Sequence, residues 1–494
     1  MILKSPLRAT SARRFRRSAG LLTAILLAGC AAVGPDYAAP ERATPATWRG
    51  AAAAKVAVMP TAPTDLANWW RQLDDPTLTG LIEQALQTSL DLRTAQAKLR
   101  EARARRALAG AELFPTVSGS AAGRRVKASG ESGGGGTANR FSAGFDASWE
   151  LDVFGGLRRS VEAAQADLEA SEASLRDVQV SLAAEAAINY VELRASQAAL
   201  DIARANAASQ AETLQLTQWR AQAGLTSTLD VEQARANLEQ TQAQIPSLET
   251  SRAEAEQRLA ILLGQPPGAL AERLAQPGGI PRIPARVTVG IPADTLRQRP
   301  DVGVAERRLA AETARIGVAE AQAYPNFSLG GSLSLEALTV GALSSGDAVA
   351  GSVLGSLAAP IFNAGRIRQQ VNIQTAVQEQ AWVNYEATVL NALGEVENAL
   401  VALANTRQRQ NHLREAVDAA RLAARLARHR YSAGLSDFQT VLDTERTVLT
   451  VEDKLTLSEA DGVKTLIQLY KALGGGWSPD PANPIAAHAQ GTSS

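Results

Sequence analysis

A chain of 494 residues with 50 basic and 50 acidic side chains has no formal net charge, so it offers no basic face of the kind nucleic-acid binding needs. Its single cysteine excludes an internal disulfide, and His412, His429 and His488 lack metal-ligand spacing with carboxylates. No glycine-rich phosphate loop follows a strand, so neither an enzyme nor a cofactor or metal site is expected.

The chain opens with Arg13, Arg14, Arg16 and Arg17, an apolar run from Leu21 to Ala28, and Leu27-Ala28-Gly29-Cys30. This reads as an export signal over residues 1–29, better suited to Sec than to twin-Arg export. Leu-Ala-Gly-Cys resembles the bacterial lipobox, which implies that Cys30 becomes an acylated, palmitate-bearing N-terminus. Ala31 and Ala32, in place of Asp, favour forwarding to the outer membrane by resemblance to bacterial lipoproteins. No other segment approaches the roughly 20 apolar residues of a membrane helix, so a mature chain that crosses a bilayer must do so with strands.

Residues 30–75 are read as an extended, lipid-bearing segment, and a first helix is expected from about Pro76 to Leu113. A weak strand follows from about Thr116 to Val126, then the loop Ala128 to Asn139. In the next strand Phe141, Ala143, Phe145, Ala147, Trp149 and Leu151 face one way, and Ser142, Gly144, Asp146, Ser148 and Glu150 the other. From there Leu157, Val161, Ala164, Leu168, Ser171, Leu175, Val178 and Leu182 alternate spacings of four and three, a heptad seam that predicts a coiled-coil-like neighbour. No Gly or Pro interrupts before Gly224, so the helix should be on the order of 100 Å long. A return helix carries Val231, Ala234, Leu238, Thr241, Ile245 and Leu248, with a kink expected at Pro246.

The same order then recurs. Tyr324-Pro325 leads into a strand with Phe327, Leu329, Gly331, Leu333 and Leu335 on one face, followed by the loop Leu338 to Asp347 and a strand from about Ala350 to Ile361. A long helix runs from Arg366 to about Arg430 and returns from Phe438 to Leu473. The prolines are 325 − 115 = 210 apart and the tip glycines 434 − 224 = 210 apart, which marks a duplicated unit. The repeats are assigned to residues 76–280 and 281–475, and the tail 476–494 has no predicted order. Each helical hairpin turns at a small-Gly-Leu step, Ala223-Gly224-Leu225 and Ala433-Gly434-Leu435, where Gly supplies the left-handed residue that ends a helix.

Segments of about ten residues, apolar outward and polar inward, are the signature of transmembrane barrel strands. Four per chain cannot close a barrel, because the smallest have about eight and open edges in lipid leave backbone groups unsatisfied. The expected fold is therefore mixed and mostly α, with three copies supplying a twelve-stranded β-barrel continuous with a long α-helical barrel.

The chain resembles the OprM-type lipoproteins of the TolC outer-membrane efflux factor superfamily over almost all of residues 30 to 477. The resemblance rests on Cys30 with Val33-Gly34-Pro35-Asp36-Tyr37, Trp69-Trp70 with Asp75-Pro76, Arg299-Pro300-Asp301 and Tyr324-Pro325-Asn326. It is completed by Pro360-Ile361-Phe362 with Gly365, and by Tyr470-Lys471-Ala472-Leu473-Gly474-Gly475-Gly476-Trp477. It implies a homotrimeric conduit anchored in the outer membrane through Cys30, a passive exit for drugs or other toxic small molecules. A periplasmic adaptor protein and an inner-membrane RND-type transporter are the implied partners. By the same resemblance the adaptor meets the tips at Ala223, Gly224, Leu225, Ala433, Gly434 and Leu435. Family members close at the tip with a Leu, an Asp four residues later and an Arg three beyond it; the matching positions are Gln439, Asp443 and Arg446, so the Leu is replaced. Asp443 and Arg446 could instead form an i, i+3 surface pair. Trp149 and Phe154, with Phe362 in the second copy, fit either an aromatic girdle or packing where strand becomes helix. A type I protein-secretion channel and a lipid-anchored coiled-coil scaffold without a pore are the alternatives.

Overall fold

The computed structural model describes residues 32–40, 44–58, 66–129, 131, 136–276, 278–284 and 287–478. The export signal, Cys30 and the tail beyond residue 478 lie outside them. In chain order the main elements of the first copy are α1 (Pro76–Thr88), α2 (Leu90–Ala111), β1 (Thr116–Lys127), β2 (Thr137–Leu151), α3 (Gly156–Gln222) and α4 (Thr228–Leu262). The second copy supplies α5 (Pro300–Ala321), β3 (Asn326–Ala337), β4 (Val349–Ala358), α6 (Arg366–Ser432) and α7 (Phe438–Ala472). The duplication is metrical: α2 and α5 have 22 residues each, α3 and α6 have 67, and α4 and α7 have 35. Their first residues all differ by 210, as 300 − 90, 366 − 156 and 438 − 228.

The single helix expected from Pro76 to Leu113 is two helices, parted at Ser89, where ψ is 138°. Asp75 caps α1 by accepting from the Leu78 amide at 2.9 Å. The second copy breaks at the matching residue, Arg299, with ψ of 119°, after a short helix Pro292–Gln298. There Pro300 disfavours helical backbone in the residue before it. The first copy has Leu90 in place of that proline; there Thr88 Oγ1 donates to the Leu263 carbonyl at 2.7 Å and Ser89 is buried, so tertiary contact sets the bend.

The chain divides into two compact units. One comprises Met1–Pro40, Leu99–Ser171 and Val304–Tyr385; the other comprises Glu41–Lys98, Glu172–Gly303 and Glu386–Ser494. The first unit holds an antiparallel sheet in the order β1-β2-β3-β4. β4 stops at Ala358, short of the expected Ile361, because Pro360 has no N–H to give a ladder. The loop Leu338 to Asp347 contains two 3-10 turns, Val340–Ser344 and Gly346–Ala348. In the Gly156–Ser171 stretch of α3 the expected seam of Leu157, Val161, Ala164 and Leu168 is only half-buried. The buried stripe is Arg159, Ala163, Ala166 and Ala170, with Ala166 packed on Ala310 and Ala311 of α5. Methyl side chains let the helix axes approach where leucines would hold them apart.

The second unit has the larger core. Trp69 stacks on Tyr470 at 5.3 Å and meets Trp70 edge-on at 5.8 Å, among Leu78, Leu81, Leu193 and Leu259. The Tyr190 hydroxyl donates to Asp75 at 2.8 Å and accepts from Arg194 at 3.0 Å; burial raises its pKa to about 12. Arg299 is buried and held by Asp301, Glu395 and the Ala472 carbonyl. Thus the motifs around Trp69-Trp70, Asp75-Pro76, Arg299-Pro300-Asp301 and Tyr470 form one structural knot. α6 contains an 18-residue window apolar enough to cross a membrane, with mean hydropathy 1.2, which the sequence reading did not expect. Composition alone does not separate such a window from a packing helix: α6 buries Val396, Ala399, Leu400 and Leu403 in this core.

Candidate channel wall and helical gate

The two faces of the sheet differ in chemistry. On one, Val117, Phe145, Leu333, Val353 and Leu357 are each more than half exposed. On the other, hydroxyls join neighbouring strands: Thr116 to Ser148 at 2.8 Å, Ser328 to Ser356 at 2.6 Å and Ser332 to Ser352 at 2.8 Å. Asn326 donates to Glu150 at 2.9 Å and Ser120 to Asp146 at 3.3 Å on that same side. One face therefore suits hydrocarbon and the other water. β1 and β4 are the edges, with strand neighbours on one side only. Trp149 Nε1 donates to the Leu113 carbonyl at 2.9 Å, and Phe154 stacks on Tyr324 at 4.6 Å. Phe362 is 88% exposed and is not the counterpart of Phe154. The offset of 210 joins Gly155 (φ 81°) to Gly365 (φ 83°), which pairs Phe154 with Ala364 and Asp152 with Phe362.

The hairpin tips are matching constructions. The Leu225 amide donates to Arg220 O and the Leu435 amide to Arg430 O, each at 2.8 Å, across Gly224 (φ 71°) and Gly434 (φ 74°). These are six-to-one helix ends that require a left-handed residue. Ala223 and Ala433 are exposed, as are Leu225 and Leu435 at 66% and 69%. Ser227 and Asp230 form a capping box on α4, and the Thr226 hydroxyl holds the Asp230 carboxyl below its usual range. Asp437 caps α7 through the Thr440 amide and hydroxyl, which hold it low as well. Arg220 ties the tips together: it donates to the Tyr431 carbonyl at 2.8 Å and lies over the Tyr431 ring at 4.6 Å. Tyr431 meets Phe438 edge-on in a small core with Ala234, Ala427, Val441 and Leu442.

Gln439, Asp443 and Arg446 all lie on exposed positions of α7. Gln439 Nε2 donates to Asp443 Oδ1 at 2.9 Å, and Arg446 Nε donates to Asn237 Oδ1 on α4 at 3.0 Å. Asp443 and Arg446 are not joined, so the i, i+3 surface pair is replaced by these two separate contacts.

The other face of α7 carries groups the sequence reading missed. Glu445 is buried, accepting from Thr213 Oγ1 at 2.7 Å with Arg428 Nε at 3.9 Å. Glu452, also buried, accepts from Arg421 at 2.6 Å and Asn206 at 3.1 Å. Burial pushes the Glu445 carboxyl up against the opposing pull of Thr213 and Arg428; burial, then the Glu452 charge, raises Asp453. A signal was present: Asn206 and Thr213, Arg421 and Arg428, and Glu445 and Glu452 are three polar pairs, each seven residues apart. One heptad on each of α3, α6 and α7 thus repeats a layer of carboxylate, arginine and small polar donor.

The family model for outer membrane efflux proteins matches residues 81–265 and 291–475, once per copy. Nodulation protein T of Rhizobium leguminosarum bv. trifolii is 33% identical over 470 residues, 94% of this chain and 98% of that protein. The pyoverdine export outer membrane protein OpmQ of Pseudomonas putida is 34% identical over 446 residues, 89% and 93% of the two chains. The solved outer-membrane channel OprN superposes with a TM-score of 0.86 at 38% identity, covering 90% of this chain and 100% of that one. With its apolar-faced sheet and long helical hairpins, this chain belongs to the outer membrane efflux proteins and is an efflux channel component of the outer membrane.

Proposed function

We propose that the chain works as a homotrimer, three four-stranded sheets closing one barrel and the helical hairpins continuing it as a passive tunnel for small organic molecules. The observation that carries this reading is the sheet itself, with an apolar face exposed and two edges open. Such edges are unstable in lipid until other strands cover them. Cys30 is the proposed acylation site that fixes the N-terminus to the membrane. Ala223-Gly224-Leu225 and Ala433-Gly434-Leu435 are the proposed contacts for a periplasmic adaptor, which would couple the tunnel to an inner-membrane RND-type transporter. One related protein is named for pyoverdine export, which supports a small-molecule cargo over a protein.

Closure is assigned to the exposed face of α7. Three Asp443 carboxylates brought near one axis would repel unless held, and the Gln439 amide supplies the local donor. The test is reconstitution of the purified protein in planar bilayers beside an Asp443→Ala variant. Heat-modifiable trimers with rare openings are expected for the parent, and markedly more frequent openings for the variant. A monomer that conducts nothing would overturn the conduit, whereas a conducting trimer indifferent to Asp443→Ala would overturn only the gate.

A further inference from the structure

The second compact unit holds a cationic cavity lined by its second hairpin and by residues 279–284. It has a volume of about 800 Å³, within the range of small-molecule sites. Arg282, Arg407 and Arg414 line it against a single carboxylate, Glu459, which already accepts from Arg414 at 3.3 Å. Ile280, Pro281 and Pro284 add an apolar wall.

Arg407 is half-buried, and among the described residues its hydrogen bond goes to a neutral group, the Ala54 carbonyl, at 2.7 Å. Burial lowers its pKa with no carboxylate to offset the effect. Three of the other arginines that this chain takes out of water are matched with acids, while Arg194 is held by the neutral groups of Tyr190, Gln197 and the Gln276 carbonyl. Arg159 holds Asp36 and Glu162, Arg299 holds Asp301 and Glu395, and Arg307 holds Glu169 and Glu306. A desolvated guanidinium without a counter-ion is poised to gain from an anion that brings one. We propose that this cavity binds a small organic anion, a carboxylate or phosphate ester on an apolar body, with Arg407 and Arg282 as its cationic contacts and the proline-lined wall against the body. Since α6, α7 and residues 279–284 all contribute to the wall, the ligand braces the second hairpin against that segment.

The test titrates the intact detergent-solubilised protein with benzoate and with phenyl phosphate by isothermal calorimetry, using benzyl alcohol as the uncharged control. Saturable binding is expected for at least one anion and not for the alcohol. The preferred anion separates a carboxylate source from a phosphate source. Arg407→Gln, which keeps a donor for the Ala54 carbonyl, should weaken that binding by about tenfold, the effect of one charge-assisted bond. Arg282→Gln changes an exposed residue, and it too should weaken binding. No saturable heat, equal binding of benzyl alcohol, or unchanged affinity in both variants overturns the proposal. Binding is read without transport, so failure of the conduit reading leaves this result intact.

Discussion

Gly434 has φ of 74°, and a Cβ added there would meet nothing within 4 Å; Gly224, at 71°, is equally open. The glycine is needed for backbone conformation alone, so Gly434→Ala should cost about 1 kcal/mol, confined to the end of α6. Faster amide exchange at Leu435 with an unchanged melting temperature is the expected result, and Gly434→Asn should be milder because Asn tolerates the left-handed region. A lower melting temperature for both variants would mean that the turn packs against something. The tips were legible in the sequence because a positive φ leaves a one-residue mark. Arg220 was not, because its partner is the carbonyl of Tyr431 on a distant segment. The partner of Arg446 was illegible for a similar reason: helical spacing offers Asp443 as its neighbour but is silent about Asn237 on α4, which takes the Arg446 side chain.

Helical hairpins and strands were readable from their periods, but the side of α3 that packs was not. The heptad of leucines and valines was the loudest apolar pattern, yet the buried stripe near the start of α3 is Ala163, Ala166 and Ala170. Hydropathy ranks leucine above alanine, whereas close helix packing ranks them by size. Polar layers escape the same kind of reading, and Glu445 shows their consequence. Its folded-state pKa lies above that of an unfolded glutamate, so the unfolded chain gives up its proton first as pH rises. The contribution to packing of α7 against α3 and α6 is therefore full below the unfolded value and is lost as pH rises through the folded one. Thr213 and Arg428 are the groups that face it, and both moderate the shift without reversing it. Amide exchange along α7 should thus slow on acidification across that window. Glu445→Gln, neutral at every pH, should remove the dependence while keeping a group that can accept from Thr213; a variant with the parent's pH profile would assign the effect elsewhere.

For the whole molecule, the duplication does more than record a sequence repeated; it gives a rule for how copies meet. Inside one chain β2 pairs with β3 so that Ala147 faces Gly331 and Phe145 faces Leu333. Adding 210 to a β2 residue gives its β4 counterpart, and subtracting 210 from a β3 residue gives its β1 counterpart, since Thr116 and Asn326 open β1 and β3 and pair with Ser148 and Ala358. If the proposed trimer continues the same geometry around the ring, β4 of one chain meets β1 of the next with Leu357 (147 + 210) opposite Ala121 (331 − 210). Gly355 (145 + 210) then faces Gly123 (333 − 210). Residues opposed on neighbouring strands are within disulfide reach. Leu357→Cys combined with Ala121→Cys should therefore give dimers and trimers on mild oxidation, in a chain whose only other thiol is Cys30. Leu357→Cys with Gly119→Cys or Gly123→Cys should link poorly, because a slip of two residues moves the Cα atoms apart by roughly two strand rises, about 7 Å. Stronger linking in either offset pair would show that the inter-chain register departs from the internal one. The barrel would then close with a shear that the repeat does not encode.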